Sequence, residues 1–216
     1  MKWFRSIKDA TVKAHKGRFA AVLLLSLSGT SLLSVAGLAA EPPFAVKSEQ
    51  VLLVDSETGT VLFSRKPEAP FPPASLAKLM TAELAFDALA TGKLQPETSF
   101  TVSEYAWRTG GAPSGTSTMF AKIKSQLTMN DLIQGIVVQS ANDGALILAE
   151  GLSGSEQEFV KAMNARAQQL GLTDTVFANP TGLPQDGAVQ KVTLSDMLKL
   201  AQHLQQTGWI GKYCVC

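Results

Sequence analysis

Histidine and cysteine are scarce in this chain of 216 residues, which contains two of each. Cys214 and Cys216 lie one residue apart at the end of the sequence, so they are poor candidates for a structural disulfide. They also cannot supply a four-ligand zinc site without partners. His15 falls in the basic N-terminal segment, which leaves His203 as the single histidine after it. We therefore expect neither a metal nor another cofactor, and little role for a catalytic histidine.

An excess of positive charge is also missing once the N-terminal segment is set apart. The first 18 residues contain six basic residues and one acidic residue, and the rest of the chain contains 13 basic and 17 acidic residues, a net charge of −4. Because nucleic-acid binding needs a basic face, we expect no nucleic-acid partner. After Ala40 no apolar run is long enough to span a bilayer, so we expect no membrane anchor beyond this segment.

Residues 1–40 have the pattern of a secretory signal peptide. A basic start is followed by an uncharged stretch from Phe19 to Ala40 that ends in small residues. Cleavage fits best after Ala39 or Ala40. The alternative is an uncleaved transmembrane anchor, since the apolar run is long enough, but its serine and glycine content favours cleavage. We expect an exported protein, in the periplasm or at the outer face of the cytoplasmic membrane.

A hydroxyl and an amine lie three positions apart at Ser75 and Lys78. Pro72 and Pro73 prevent a helix from starting earlier, so both residues fall in the first turn of a predicted helix and share one face. A lysine whose pKa falls from about 10.4 towards about 7–8 through burial and nearby positive charge can take the serine proton. The Ser75 N–H, at the helix N-terminus, can donate to a developing oxyanion.

A second hydroxyl and an amide occur at Ser140 and Asn142, in a polar connection between two predicted helices. Ser140 can pass a proton to a leaving group, and Asn142 can orient the amide of a substrate. Each spacing arises about once by chance in a chain of this length, and the alternatives are helix caps, a solvated lysine and a turn asparagine. The context of Ser75, Lys78, Ser140 and Asn142 favours a serine acyl-transfer site with a lysine base.

The remaining pattern predicts one hairpin and four or five helices. Val51–Val54 has the composition of a buried strand, and residues 60–64 form the returning strand. Capping boxes at Thr128, Ser155 and Thr193 predict three helix starts. Residues 109–115 are expected to be a loop. The prediction is an α+β fold in which the sheet is small for the number of helices.

Several segments together resemble the low-molecular-mass penicillin-binding D-alanyl-D-alanine carboxypeptidases, and the resemblance covers roughly residues 48–206. The similar segments are residues 53–59, 73–81, 132–135, 139–143 and 177–183. The resemblance implies a serine β-lactamase/penicillin-binding transpeptidase-like fold, with an antiparallel sheet packed against a helical cluster. It implies a serine peptidase that removes the terminal D-alanine of peptidoglycan stem peptides through an acyl-enzyme.

The resemblance also implies roles for individual residues. Ser75 is the nucleophile, Lys78 the base, and Ser140 and Asn142 the second motif. β-Lactam antibiotics are then expected to acylate Ser75. Thr181 stands where the family often has histidine, a departure that we expect to be tolerated.

A second departure is more serious, because no Lys-Thr-Gly occurs in the sequence. In the family, that strand closes one wall of the cleft, binds the substrate carboxylate and supplies a second oxyanion N–H. Losing one such donor costs about 2.7–4 kcal/mol of transition-state stabilisation. We therefore expect a partial catalytic domain over residues 41–208 with an incomplete sheet, an aberrant tail over residues 209–216, and poor or no turnover.

Three other hypotheses stay open. The first is a truncated, catalytically impaired penicillin-binding fragment, or a frameshifted product. The second is a class A β-lactamase, which is disfavoured because no Glu-x-x-Leu-Asn follows Asn142. The third is an exported binding module without enzymatic activity.

Overall fold

The computed structural model describes residues 45–213, except for the side chains of residues 209 and 210. The predicted signal peptide and the two cysteines lie outside the described residues, so the statements about them stay predictions. The helices and strands are β1 (Val51–Val54), β2 (Val61–Arg65), α1 (Ala77–Ala90), β3 (Ser99–Thr101), α2 (Glu104–Gly110), β4 (Gln126–Thr128), α3 (Met129–Gln139), α4 (Asn142–Ser153), α5 (Glu156–Gln169), α6 (Leu194–Gln206) and α7 (Trp209–Tyr213). Two 3-10 turns span Ala74–Leu76 and Ala112–Ser114.

The predicted hairpin is confirmed, since β1 and β2 pair antiparallel. Its turn is held by Asp55, whose carboxylate accepts hydrogen bonds from the N–H and the hydroxyl of Thr58, each at 2.7 Å. The prediction that β1 is a buried strand is wrong, because Leu53 is 43% exposed. On β2, Leu62 is also exposed. Within residues 45–213 no third strand pairs with this hairpin, so part of its apolar surface is uncovered.

Several elements were not predicted. Among them, strands β3 and β4 form a second antiparallel pair, and helix α2 occupies Glu104–Gly110. Residues 109–115, predicted as a loop, include the end of α2 and a 3-10 turn. Three-residue strands and a two-turn helix are too short to show a clear period in the sequence.

The three predicted helix starts are confirmed. The hydroxyls of Thr128, Ser155 and Thr193 each accept a hydrogen bond from the N–H three residues ahead. At Thr128 the capping box is complete, because Asp131 accepts the N–H of Thr128 in return. The carboxylate of Asp196 instead accepts hydrogen bonds from the N–H of Asp174 and the hydroxyl of Thr175, both at 2.9 Å, so it fixes a distant turn to α6.

Helix α1 lies in the centre of the helical region and contacts α3, α4, α5 and α6. Apolar side chains are buried on several of its faces, among them Met80 and Phe86. A helix that is apolar all round is expected in the interior of a domain. The residues that follow Ser75 are therefore held by packing from several sides.

The described residues contain no helix with the length and hydrophobicity needed to cross a bilayer.

Candidate active site

Ser75 and Lys78 meet where the 3-10 turn over Ala74–Leu76 joins helix α1. The Nζ atom of Lys78 lies 3.5 Å from the Oγ atom of Ser75. Ser75 is exposed, whereas Lys78 is only 5% exposed. The predicted sharing of one face is confirmed, and it places a buried amine beside a hydroxyl that a substrate can reach.

Burial lowers the pKa of Lys78 to about 8. The cause is the loss of hydration of the charged form. The Nζ atom donates a hydrogen bond to the backbone carbonyl of Thr181 at 2.9 Å. Among the salt bridges of the described residues, none involves Lys78, so no carboxylate holds this amine in its charged form. A large neutral fraction near pH 8 allows Lys78 to accept a proton.

Ser140 lies between α3 and α4 in the left-handed region, with φ 53°. Together with Ser75 and Lys78 it lines a cavity of about 240 Å³. The rest of the lining is apolar and comes from Leu79, Ala82, Phe86, Ile136, Val137 and Leu204. The structure thus brings three of the four predicted site residues to one cavity.

Asn142 is the fourth predicted site residue, and it does not line this cavity. It begins α4 and is 2% exposed, and its Nδ2 atom donates to the hydroxyl of Thr116 at 2.9 Å. Its backbone N–H donates to the carbonyl of Ser117 at 2.8 Å. The Oδ1 atom has no hydrogen-bond partner among the described residues. The predicted contact of Asn142 with a substrate amide therefore stays a prediction.

Asp143 is a residue that the sequence interpretation missed. Its carboxylate is fully buried and accepts hydrogen bonds from the hydroxyl of Thr118 at 2.6 Å and from the N–H groups of Met119 and Ala121, both at 3.0 Å. These bonds fix residues 118–121 to the first turn of α4. A buried carboxylate needs such donors to offset its lost hydration. The available signal was an acidic residue directly after the second motif.

The carbonyl of Thr181 was also missed. The Asn-Pro-x-Gly-Leu motif over residues 179–183 was noted for its resemblance to a family, but no role was assigned to it. Every residue has a backbone carbonyl, so the sequence does not show which one will face Lys78. Only the folded structure shows it.

The arrangement can support nucleophilic acyl transfer. Among residues 45–213 there is no group of three or more histidine, cysteine, aspartate or glutamate residues placed to hold a metal ion. A reachable hydroxyl next to an amine of lowered pKa is the pair that an activated serine nucleophile requires.

Comparisons with known proteins show the family to which the chain belongs. The model of the peptidase S11 family, described as D-alanyl-D-alanine carboxypeptidase, matches residues 36–215. The D-alanyl-D-alanine carboxypeptidase DacF of Bacillus subtilis is 36% identical over 169 residues, which are 78% of this chain and 42% of that protein. The chain spans less than half the length of this relative and of two similar ones from Escherichia coli and Haemophilus influenzae.

Solved structures give the same picture. Penicillin-binding protein 5 from Haemophilus influenzae has a TM-score of 0.70 and 33% identity over 76% of this chain and 47% of its own. Penicillin-binding protein D2 from Listeria monocytogenes, solved in cefotaxime-bound and ampicillin-bound forms, is 27% identical over 79% of this chain and 66% of its own, with TM-scores of 0.68 and 0.64. The predicted α+β penicillin-binding fold is thereby confirmed, and its described strands form two separate pairs. The chain belongs to the S11 family of D-alanyl-D-alanine carboxypeptidases.

Proposed function

We propose that this chain carries the acyl-transfer site of a serine-type D-alanyl-D-alanine carboxypeptidase that trims peptidoglycan stem peptides. The observation that carries the proposal is the buried Lys78 amine 3.5 Å from the Ser75 hydroxyl, with its pKa lowered to about 8. Membership of the family supports the choice of substrate. Consistent with the family, we place the protein outside the cytoplasmic membrane, after removal of residues 1–40.

Acylation is the first half of the proposed reaction. Neutral Lys78 accepts the proton of Ser75, and the serine Oγ atom attacks the carbonyl carbon between the two D-alanines. The N–H of Ser75, in the 3-10 turn, donates to the oxygen that becomes negative. The carbon–nitrogen bond then breaks, and the departing D-alanine amine takes the proton from Lys78 through the hydroxyl of Ser140.

Deacylation completes the cycle. A water molecule gives a proton to neutral Lys78 while its oxygen attacks the ester carbonyl of the acyl-enzyme. The ester bond breaks, and the proton returns from Lys78 to the Oγ atom of Ser75. The shortened peptide leaves with a free carboxylate, and the enzyme is regenerated.

β-Lactams enter the same proposal as acylating inhibitors. Their ring amide presents a strained carbonyl to the same serine, and opening it forms an ester on Ser75 without a small leaving group. The cefotaxime-bound and ampicillin-bound forms of the Listeria monocytogenes relative support this extension.

Two assays test the proposal. The first incubates the folded chain with a fluorescent penicillin and locates the label by peptide mass mapping, with Ser75→Ala as the matched control. The second measures release of D-alanine from a synthetic stem peptide. We expect one label, on Ser75, that disappears in the variant, and slow or no release of D-alanine because the sequence contains no Lys-Thr-Gly. Absence of a label from folded protein contradicts the proposed acylation, and labelling without D-alanine release restricts the proposal to its first half.

A further inference from the structure

A buried loop over residues 179–183 packs against the back of the Ser75–Lys78 turn. We propose that Asn179 is a positioning residue, which shapes this loop so that the carbonyl of Thr181 holds the Lys78 amine beside Ser75. The structural part of this inference stands on the geometry alone. Its consequence for catalysis rests on the proposed function.

Three consecutive residues of the loop contact the segment from Ala74 to Thr81, which contains Ser75 and Lys78. The carbonyl of Pro180 accepts a hydrogen bond from the hydroxyl of Thr81 at 2.7 Å. The carbonyl of Thr181 accepts one from the Nζ atom of Lys78 at 2.9 Å. Gly182 lies so close that a Cβ atom there would be 1.7 Å from the carbonyl oxygen of Ala74. The loop therefore lies along the element from Ala74 to Thr81.

Asn179 gives the loop its shape through hydrogen bonds to both the oxygen and the nitrogen of its side-chain amide. Its Oδ1 atom accepts from the N–H of Thr181 at 3.1 Å, from the hydroxyl of Thr181 at 2.8 Å and from the N–H of Gly182 at 2.7 Å. Its Nδ2 atom donates to the carbonyl of Leu183 at 2.8 Å. Asn179 is 5% exposed, and Thr181 is 4% exposed.

This pattern has a directional consequence. Because the N–H groups of Thr181 and Gly182 both point to Asn179, the peptide between them is fixed with the carbonyl of Thr181 on the opposite side, facing Lys78. Gly182 has φ +77°, a conformation that side chains disfavour, and it completes the turn. In its neutral form the amine has two hydrogens and one lone pair, so donating one hydrogen to the fixed carbonyl of Thr181 leaves the lone pair available for the proton of Ser75.

Asn164 offers a matched control. It is another asparagine of the same region, with its Nδ2 atom donating to the carbonyls of Val160 and Phe177 and its Oδ1 atom accepting from the N–H of Phe177. It holds the chain two residues before the loop, and within residues 45–213 it has no hydrogen bond to Lys78. Asn179→Ala and Asn164→Ala thus remove similar numbers of hydrogen bonds at different distances from the amine.

The experiment titrates Lys78 by NMR in the full chain labelled with ¹³C at the lysine Cε atoms, with Lys78→Arg to assign the signal. In Asn179→Ala, water reaches the amine as the loop loosens, so we expect the midpoint to rise from about 8 towards the ordinary value of 10.5. In Asn164→Ala we expect the melting temperature to fall while the Lys78 midpoint stays within about 0.3 of the parent. If Asn179→Ala does not fold, Thr181→Val removes one of the three bonds to Oδ1 and serves instead, with a smaller rise.

An unchanged Lys78 midpoint in folded Asn179→Ala, or in its substitute Thr181→Val, overturns the inference. So does an equal rise in Asn164→Ala, because the effect is then general loosening. Penicillin acylation of the same proteins separates this question from the proposed function. If the parent is never acylated, the proposed function fails, while the lysine titration still decides the role of Asn179. If the parent is acylated, we expect the rate at pH 7.5 to fall about tenfold in Asn179→Ala.

Discussion

Apolar side chains are buried in the helical region around α1, whereas several are exposed in the N-terminal hairpin. Along α1, residues such as Met80 and Ala85 are fully buried, and even the charged Lys78 is 5% exposed. In the hairpin, Val61 and Leu62 are 54% and 60% exposed. The buried core of the described residues contains no member of β1 or β2.

The difference shows which part of the described chain holds the site. Ser75, Lys78 and Ser140 are fixed by α1, α3 and the loop over residues 179–183, whereas the hairpin supplies none of the residues that line the cavity. The low dielectric around Lys78 comes from the helices and the loop over residues 179–183 packed around it, and this burial is the physical source of the lowered pKa. Substitutions in the two regions should therefore have very different effects.

The largest contrast is expected between two lysines. Lys78→Met removes the proposed base, and we expect the rate of penicillin acylation to fall by about 10²–10⁴-fold. Lys66→Met changes an exposed lysine at the end of the hairpin, which pairs with Glu49 at 3.7 Å, and should leave the rate unchanged. Stopped-flow or gel-based labelling measures both. Equal rates in the Lys78 variant and the parent would remove the lysine from the mechanism.

The next contrast concerns stability. Phe159 on α5 is fully buried, so Phe159→Ala should lower the free energy of unfolding by about 3–5 kcal/mol. Leu62→Ala in the hairpin removes an exposed side chain and should change it by less than about 0.5 kcal/mol. Urea unfolding followed by circular dichroism gives both values. A large loss in the Leu62 variant would show that the hairpin face is covered in solution.

A smaller contrast compares two threonine hydroxyls. Thr128 caps α3, the helix that ends at Ser140, and Thr128→Ala should cost about 1 kcal/mol of stability. Thr58 donates its hydroxyl to Asp55 in the exposed hairpin turn, and Thr58→Ala should cost about 0.5 kcal/mol or less. The same unfolding assay measures both. A reversed order would mean that the turn is more important to the fold than the cap.

The smallest effect is a pH dependence limited to the hairpin. The hydrogen bond from the Thr58 side chain, followed by that from the Thr58 backbone, lowers the pKa of Asp55 below its usual 3.8. The carboxylate form is the one bonded in the folded state, so its contribution is complete above pH about 4 and is lost as the pH falls through the lowered value. The amide signal of Thr58 should shift over that range in NMR spectra, while the core methyl signals stay in place. Simultaneous movement of both sets would contradict a local effect.

The sequence allowed the prediction of features that depend on near neighbours. Ser75 and Lys78 share a face because of their spacing, and Thr128, Ser155 and Thr193 act as caps because each bond closes within three residues. These bonds form as soon as the helix forms, so short-range pattern is sufficient to find them.

Features that depend on distant segments were not predicted. The carbonyl of Thr181 lies 103 positions from Lys78, and the pairing of β3 with β4 joins strands about 25 residues apart. The prediction that Val51–Val54 is buried was wrong for the same reason, because an apolar strand is buried only if another element covers it. Asn142, assigned to the site by its motif, donates its Nδ2 atom to the hydroxyl of Thr116, and its contact with a substrate amide stays a prediction.

The pH dependence of Ser75 acylation tests the central claim most directly. Intact-mass measurement of penicillin adducts over pH 6–10 gives the rate for the full chain, with Ser75→Ala as the blank. If Lys78 in its neutral form removes the serine proton, the rate should rise about tenfold per pH unit well below the pKa and level off above about 8. A rate that is flat across this range, or an adduct that forms equally in Ser75→Ala, contradicts the claim.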